Sequence, residues 1–182
     1  MANLVQLTDF IGEINIVLNT PTCGEAQKLE NIIEDYETDI IVSLLGGMTA
    51  DFYAGLTANT VKYKELLDGK EYQLNGMTLK FIGLRKLVAF KIYEIYQQNS
   101  VSASSNNGEV KTANVGMEVI SPNAKLVNAN NQYAKRVGKQ CRCSSNCNCK
   151  YLNTLHNFLS VGDYENWSIC DSQSKYKNRL GL

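Results

Sequence analysis

Gly83-Leu84-Arg85-Lys86-Leu87-Val88-Ala89-Phe90-Lys91-Ile92-Tyr93-Glu94-Ile95-Tyr96-Gln97-Gln98 is the stretch on which the fold of this chain turns. Leu84, Leu87, Val88, Ala89, Phe90, Ile92, Tyr93, Ile95 and Tyr96 leave few polar positions. A surface helix keeps its apolar residues on one stripe, whereas a helix that is apolar on most sides is packed on most sides. The spacing therefore predicts a helix at the centre of the domain, or one sandwiched between subunits.

Upstream of it, Tyr72-Gln73-Leu74 and Met77-Thr78-Leu79 flank Asn75-Gly76. Asn-Gly favours a type I′ turn, whose two central residues both need positive φ, so a small β-hairpin is expected. Shorter helices are expected over Ala50–Leu56 and Thr60–Leu67, the second stopped at Asp68-Gly69. A long amphipathic helix is expected over Glu25–Leu45. Its stripe is Leu29, Ile32, Ile33, Tyr36, Ile40 and Leu44, with Thr22 as candidate N-cap, Glu25 completing a capping box and Gly46-Gly47 as the stop. Before the turn-rich Thr20-Pro21-Thr22-Cys23-Gly24, the alternation of Ile14, Ile16 and Leu18 reads as a short extended arm.

Downstream, residues 99–121 change to Asn, Ser and Gly, with short alternating stretches (Val101, Ala103; Val110, Thr112; Val115, Met117, Val119) that can pair as a long projecting hairpin. Ser121 as N-cap and Pro122 in the first turn open another helix, ended by Gly138. Its buried face is expected to hold Leu126, Val127, Ala129 or Asn130, Tyr133, Ala134 and Val137. A short helix follows over Lys150–Leu159, then a polar tail from 161 to 182 with Tyr164, Trp167 and Tyr176 as aromatic anchors. The expected fold is mainly α: a helical bundle with a small β-hairpin, a long projecting loop or hairpin, and extended terminal arms. Residues 1–138 form the helical domain, with its N-terminal arm and the projecting loop at 99–121. Residues 139–182 form a Cys-rich segment and a basic tail.

The 182 residues suffice for one ordinary core. With 44% hydrophobic and 20% charged residues the chain is globular in composition. Lys+Arg and Asp+Glu are 18 each, which argues against tight, sequence-independent DNA binding. The charge is uneven. Residues 1–134 carry 10 basic and 15 acidic side chains, net −5, and residues 135–182 carry 8 and 3, net +5. Such asymmetry fits head-to-tail packing, a partner of opposite sign, or a solvated mixed-charge tail. Met1-Ala2-Asn3-Leu4-Val5-Gln6 has no basic n-region or apolar h-region, and no apolar run approaches the ~20 residues of a membrane span. The expectation is a protein made in the cytosol that makes no membrane contact.

The sharpest local signal is Cys141-Arg142-Cys143-Ser144-Ser145-Asn146-Cys147-Asn148-Cys149. Cys141, Cys143, Cys147 and Cys149 match the ligand count of a structural zinc site. Single-residue spacings make tighter chelates than the usual pairs, so free thiols during assembly, or disulfides formed later, stand beside the metal reading. Cys23 and Cys170 are isolated and read as buried thiols. Nothing assembles an active site. His156 is the single histidine, Gly46-Gly47-Met48-Thr49 lacks the Lys-Ser/Thr of a phosphate loop, and Glu30, Glu34, Asp35 and Glu37 read as a solvated helix face.

One order of elements resembles a known family. Tyr72, Gly76 and Phe81-Ile82-Gly83-Leu84-Arg85 lead from a hairpin into the aromatic-rich helix. An Asn/Ser-rich segment with short alternation follows, and then the helix Asn128-Ala129-Asn130-Asn131-Gln132-Tyr133-Ala134-Lys135-Arg136-Val137-Gly138. Over roughly residues 25–160 this is similar to the head–tail connector (adaptor) proteins of tailed phages, particularly those of crAss-like and related phages of gut bacteria. The resemblance implies a non-enzymatic virion protein, assembled in the bacterial cytoplasm as a homo-oligomeric ring, usually of twelve copies. Such a ring sits beneath the portal protein, with tail or other ring proteins below and DNA passing through the channel without sequence-specific binding. The family has no catalytic residues to carry over, and residues 139–182 depart from its pattern. The alternative is a small Cys-rich metal-binding module that regulates or grips nucleic acid.

Overall fold

A buried helix needs neighbours on every side, and in the computed structural model the chain supplies them itself. The structure describes residues 3–14, 16, 23–105, 108–111, 123–138 and 153–169. It is mainly helical, with α1 over Cys23–Leu45, α2 over Thr49–Thr57, α3 over Val61–Asp68, α4 over Leu84–Val101, α5 over Asn123–Val137 and α6 over Leu155–Val161. Two antiparallel hairpins complete it: β1 (Glu71–Leu74) with β2 (Met77–Lys80), and β3 (Ser102–Ser105) with β4 (Gly108–Lys111). The apolar stretch that opens the sequence reading is α4. Leu84, Leu87, Val88, Ala89, Phe90, Ile92 and Tyr93 are buried, covered by α1, α3 and α5 of the same chain. Its apolar character is thus accounted for within the monomer.

α1 buries Leu29, Ile32, Ile33, Ile40 and Leu44 as the stripe predicts, and also Ile41 and Leu45. Tyr36 is exposed instead. The C-terminal half of α1 has neighbours on two sides, α4 and the 3-10 turn Gly46–Met48 with α2, which widens the buried arc there. Thr22 and its capping box lie outside the described residues. The stretch Gly24–Thr57 is long and apolar enough by length and composition to cross a membrane. In the fold it breaks at Gly46, and Leu29, Ile33, Leu44 and Phe52 from it fill the core.

Of the expected extended arm, residues 15, 17 and 18 lie outside the described residues, and the part of the N-terminal segment that is described, residues 3–14, is not extended. It forms two 3-10 turns, Leu7–Asp9 and Gly12–Ile14, and plugs Val5, Phe10 and Ile14 into the core. Polar ties hold it there. The Val5 N–H donates to Glu37 Oε2 at 2.7 Å, and Lys86 Nζ on α4 donates to the Asp9 carbonyl at 3.0 Å. Glu37, expected on a solvated face with Glu30, Glu34 and Asp35, is therefore buried, while those three are exposed.

At the same, N-terminal end of α4 sits a backbone crossing. Gly69, which follows α3, and Gly83, which precedes α4, have φ of 92° and 91°. A Cβ on Gly69 would lie 2.4 Å from the Phe81 carbonyl oxygen, and one on Gly83 2.6 Å from the Leu67 carbonyl oxygen. The two chain segments touch without side chains between them, so α3, the β1–β2 hairpin and α4 join with no slack. The hairpin turn is the one the sequence calls for, with Asn75 at φ 51° and Gly76 at φ 75°.

Described residues beyond 138 add to the same core. Leu155, Phe158 and Leu159 of α6 belong to the same core as α1 and α4. Phe158 stacks on Phe81 at 4.5 Å and meets the edge of Tyr72 at 5.4 Å, tying α6 to the hairpin. α6 begins at Leu155, later than the expected Lys150, because Thr154 is its N-cap and accepts from the Asn157 N–H at 3.2 Å. On α5, Ala129, Tyr133 and Val137 are buried, whereas Val127 and Asn130 are exposed.

The crossing gives a test. Gly69→Ala and Gly83→Ala each combine a left-handed penalty of about 1–2 kcal/mol with backbone overlap, and should destabilise by more than ~2 kcal/mol in urea unfolding. Gly76→Ala meets open space, so its loss should stay near ~1 kcal/mol.

Candidate functional sites

Three surface features stand out from the packed core. The first is a cleft of about 320 Å³ lined by Asp9, Ile11, Asp68, Ile82, Arg85 and Lys86, where the first turn of α4 meets the end of α3 and the N-terminal turns. Its cations are engaged. Arg85 Nη2 pairs with Asp68 Oδ1 at 2.9 Å, and Lys86 binds the carbonyls of Asp9 and Ile11. The cleft is thus a seam that holds three segments together.

The second feature is the β3–β4 hairpin. Helix α4 ends at Val101 and β3 starts at Ser102, with no linker between. The strands pair Ser102 with Lys111, Ala103 with Val110, Ser104 with Glu109 and Ser105 with Gly108. A hairpin in this region is what the alternation suggests, and the register is set by the structure. Outside the hairpin its principal contact is α4. The remainder of the expected long loop, 112–121, lies outside the described residues.

The third feature is the base of the Cys-rich loop. α5 ends at Gly138, at φ 80°, and a Cβ there would lie 2.7 Å from Thr154 Oγ1. The chain therefore leaves α5 and returns at the N-cap of α6 in the same place. Cys141, Cys143, Cys147 and Cys149, the candidate metal ligands, lie outside the described residues, as does Cys170. Among the described residues no cluster of His, Cys, Asp and Glu could hold a metal ion.

The remaining sequence candidates have structural surroundings. His156 packs edge-on against Trp167, with ring centroids 5.2 Å apart. Gly46-Gly47-Met48 is a 3-10 turn, and Thr49 Oγ1 donates back to the Gly46 carbonyl at 2.7 Å. Of the aromatic anchors, Tyr164 and Trp167 pack against the core, and Tyr176 lies outside the described residues. The Tyr164 hydroxyl donates to the Lys62 carbonyl at 2.9 Å, and the Lys62 ammonium sits 4.5 Å from the Tyr164 ring centre and donates to the Asp163 carbonyl. The sequence singles out Tyr164 but not Lys62, whose partners, the Asp163 carbonyl and the Tyr164 side chain, lie about a hundred residues away.

Compared with protein-family models, curated proteins and solved structures, the chain has no match.

Burial, and secondarily the Glu65 carboxylate and Tyr63, push the Tyr164 phenol well above the ordinary tyrosine range. The fold thus favours the neutral phenol. Its contribution is intact below the unfolded-state value near pH ~10 and is lost as pH rises from there through the folded value. Burial raises Tyr53, Tyr72 and Tyr93 in the same direction. Stability should therefore fall above pH ~10. Tyr164→Phe should cost about 0.5–1.5 kcal/mol at neutral pH and make that alkaline fall shallower, as read from urea midpoints across the pH range.

Proposed function

We propose that this protein is a structural subunit of a tailed-phage virion, forming a homo-oligomeric ring at the head–tail junction that links portal to tail around the DNA channel. The observation that carries the reading is the β3–β4 hairpin running directly off the central helix. A strand pair anchored to the core at one end, with unpaired edges among the described residues, is the kind of element that completes itself on a neighbour. The resemblance rests on the order hairpin, central helix, Asn/Ser-rich alternating segment and Asn-rich helix, and β3–β4 falls in that third segment. The burial of α4 lends nothing to oligomerisation, because the chain covers that helix itself; the assembling surface is assigned to the hairpin. Twelve copies, the portal and tail proteins as neighbours, and the virion as location follow from the resemblance.

The Cys-rich loop has a part in this reading, as a clasp between α5 and α6. Residues 139–150 have almost no apolar side chains, so burial at ~25 cal/mol per Å² cannot order them. A zinc ion held by Cys141, Cys143, Cys147 and Cys149, or disulfides among them, would. The contact of Gly138 with Thr154 favours this, since it already closes the loop at its base. The same contact is what favours the alternative reading, a Cys-rich metal-binding module for nucleic acid. A zinc-loaded monomer that retards DNA on a gel would support that alternative over the ring.

Deleting Ser102–Thr112 should leave a folded monomer with unchanged helical circular dichroism but abolish rings in negative-stain micrographs and in native mass spectra of portal-bound material. Rings of normal yield from the deletion would refute the assignment. For the clasp, elemental analysis should find about one zinc per chain, lost in Cys143→Ser and Cys147→Ser, or thiol titration should find the four thiols paired. Four freely reactive thiols, no metal and normal assembly of both variants would remove the clasp.

A further inference from the structure

The C-terminal segment leaves the described fold at a defined place. Ile169 is the last residue before it, and the neighbouring Ser168 N–H donates to the Leu45 carbonyl at the end of α1, at 3.3 Å. Gly46 and Gly47 accept this close crossing, since a Cβ on Gly46 would overlap Ser168. The segment therefore starts beside the C-terminus of α1, a helix whose outer face has no neighbour among the described residues.

That face is acidic. Glu30, Glu34, Asp35 and Asp39 are exposed, and Lys28 is the one cation in the sequence of α1. Among the described residues the ion pairs belong to α3, the segment after it and α4, and none engages these four carboxylates. Val42, 46% exposed, adds an apolar surface near the point of exit. The segment itself is of opposite sign, with Lys175, Lys177 and Arg179 against Asp171.

We propose that the outer face of α1 is the docking surface for residues 170–182 of the same chain, laid antiparallel to the helix. Length permits it. Lys175 is seven residues past Ser168, a reach of about 24 Å, while Asp39, Asp35 and Glu30 lie about 9, 15 and 22 Å back along the helix from Leu45. Spacing favours it. In an extended segment Lys175 and Lys177 share one side at an interval of about 6.7 Å, against about 6 Å between Asp39 and Asp35, which share one line along the helix, while Glu34 and Glu30 form a second line about 140° away around the axis. Single exposed ion pairs are weak, but a tether of this length raises the local concentration of the segment, and several pairs act together. The contact neutralises the basic end of the chain against its acidic part, and it holds whether or not the chain forms a ring.

Zero-length carbodiimide coupling of a dilute mixture of isotopically light and heavy full-length protein tests this. Peptide mapping should find Lys175 or Lys177 joined to Asp39, Asp35, Glu34 or Glu30, within light and within heavy chains only. The yield should drop about tenfold at ~1 M salt, where the screening length is about 3 Å, and also in Asp35→Asn/Asp39→Asn. Light–heavy links would mean that a second copy occupies the face. Absence of links to α1, or links indifferent to the Asn substitutions, would mean that the segment does not dock there. Either result overturns the proposal. All the substituted positions are exposed, so the variants are expected to fold, and circular dichroism verifies it.

Discussion

A helix buried on most of its sides must still place its charges, and the rest of this structure depends on how α4 does so. Arg85 reaches back to Asp68 at the end of α3. Lys86 takes the carbonyls of Asp9 and Ile11 and so fixes the N-terminal turns. Lys91 pairs with Glu94 at 2.7 Å, both largely covered, and lies 5.7 Å from the ring centre of Tyr133 on α5. Arg136 of α5 returns the contact over the ring of Phe90. These groups are half-buried, so each ammonium or guanidinium keeps a polar or aromatic partner where the helix surface is covered. Arg85, Lys86 and Lys91 each reach a different neighbour, while Glu94 pairs within the helix.

Glu37 repeats the logic on α1. Its buried carboxylate is matched by the backbone N–H of Val5, a charge-assisted bond that fixes the entry of the chain against the core. The N-terminal turns are thus held by an acid from one long helix and a base from the other. Around these ties Val5, Phe10 and Ile14 enter apolar surroundings, and the segment packs down as 3-10 turns.

What was legible in the sequence follows the range of the determining interaction. Asn75-Gly76 sets its own turn, the repeat of Leu29, Ile33, Ile40 and Leu44 sets a buried stripe, and the all-round apolar α4 announces a central helix; each is decided within a few residues. The mainly helical class followed from these. What was not legible depended on distant partners. Glu37 looks like any other carboxylate on an acidic helix until the Val5 N–H arrives from 32 residues away. Ile14 and Ile16 alternate like a strand, but among the described residues no strand pairs with them, and the core takes Ile14 from a turn instead. Leu155 and Phe158 carried helical spacing, yet only the stacking of Phe158 on Phe81 makes α6 part of the main core. For the candidate sites the sequence indicated a hairpin within residues 99–121 and the four clustered cysteines. The meeting of Gly138 with Thr154, which closes the loop between α5 and α6, had no local signature.

The direct passage from α4 into β3 also has a mechanical side. Force along a hairpin is borne by its ladder of hydrogen bonds and handed to whatever its strands are rooted in. Here one root is the last turn of the most deeply buried helix, with no flexible joint in between to absorb displacement. A pull or twist at the tip of β3–β4 is therefore delivered to the middle of the core, to Tyr93, Phe90 and the side chains around them. Tyr93, the last fully buried side chain described on α4, lies about two turns before the root of the hairpin, so displacement at that root reaches the core along the helix backbone.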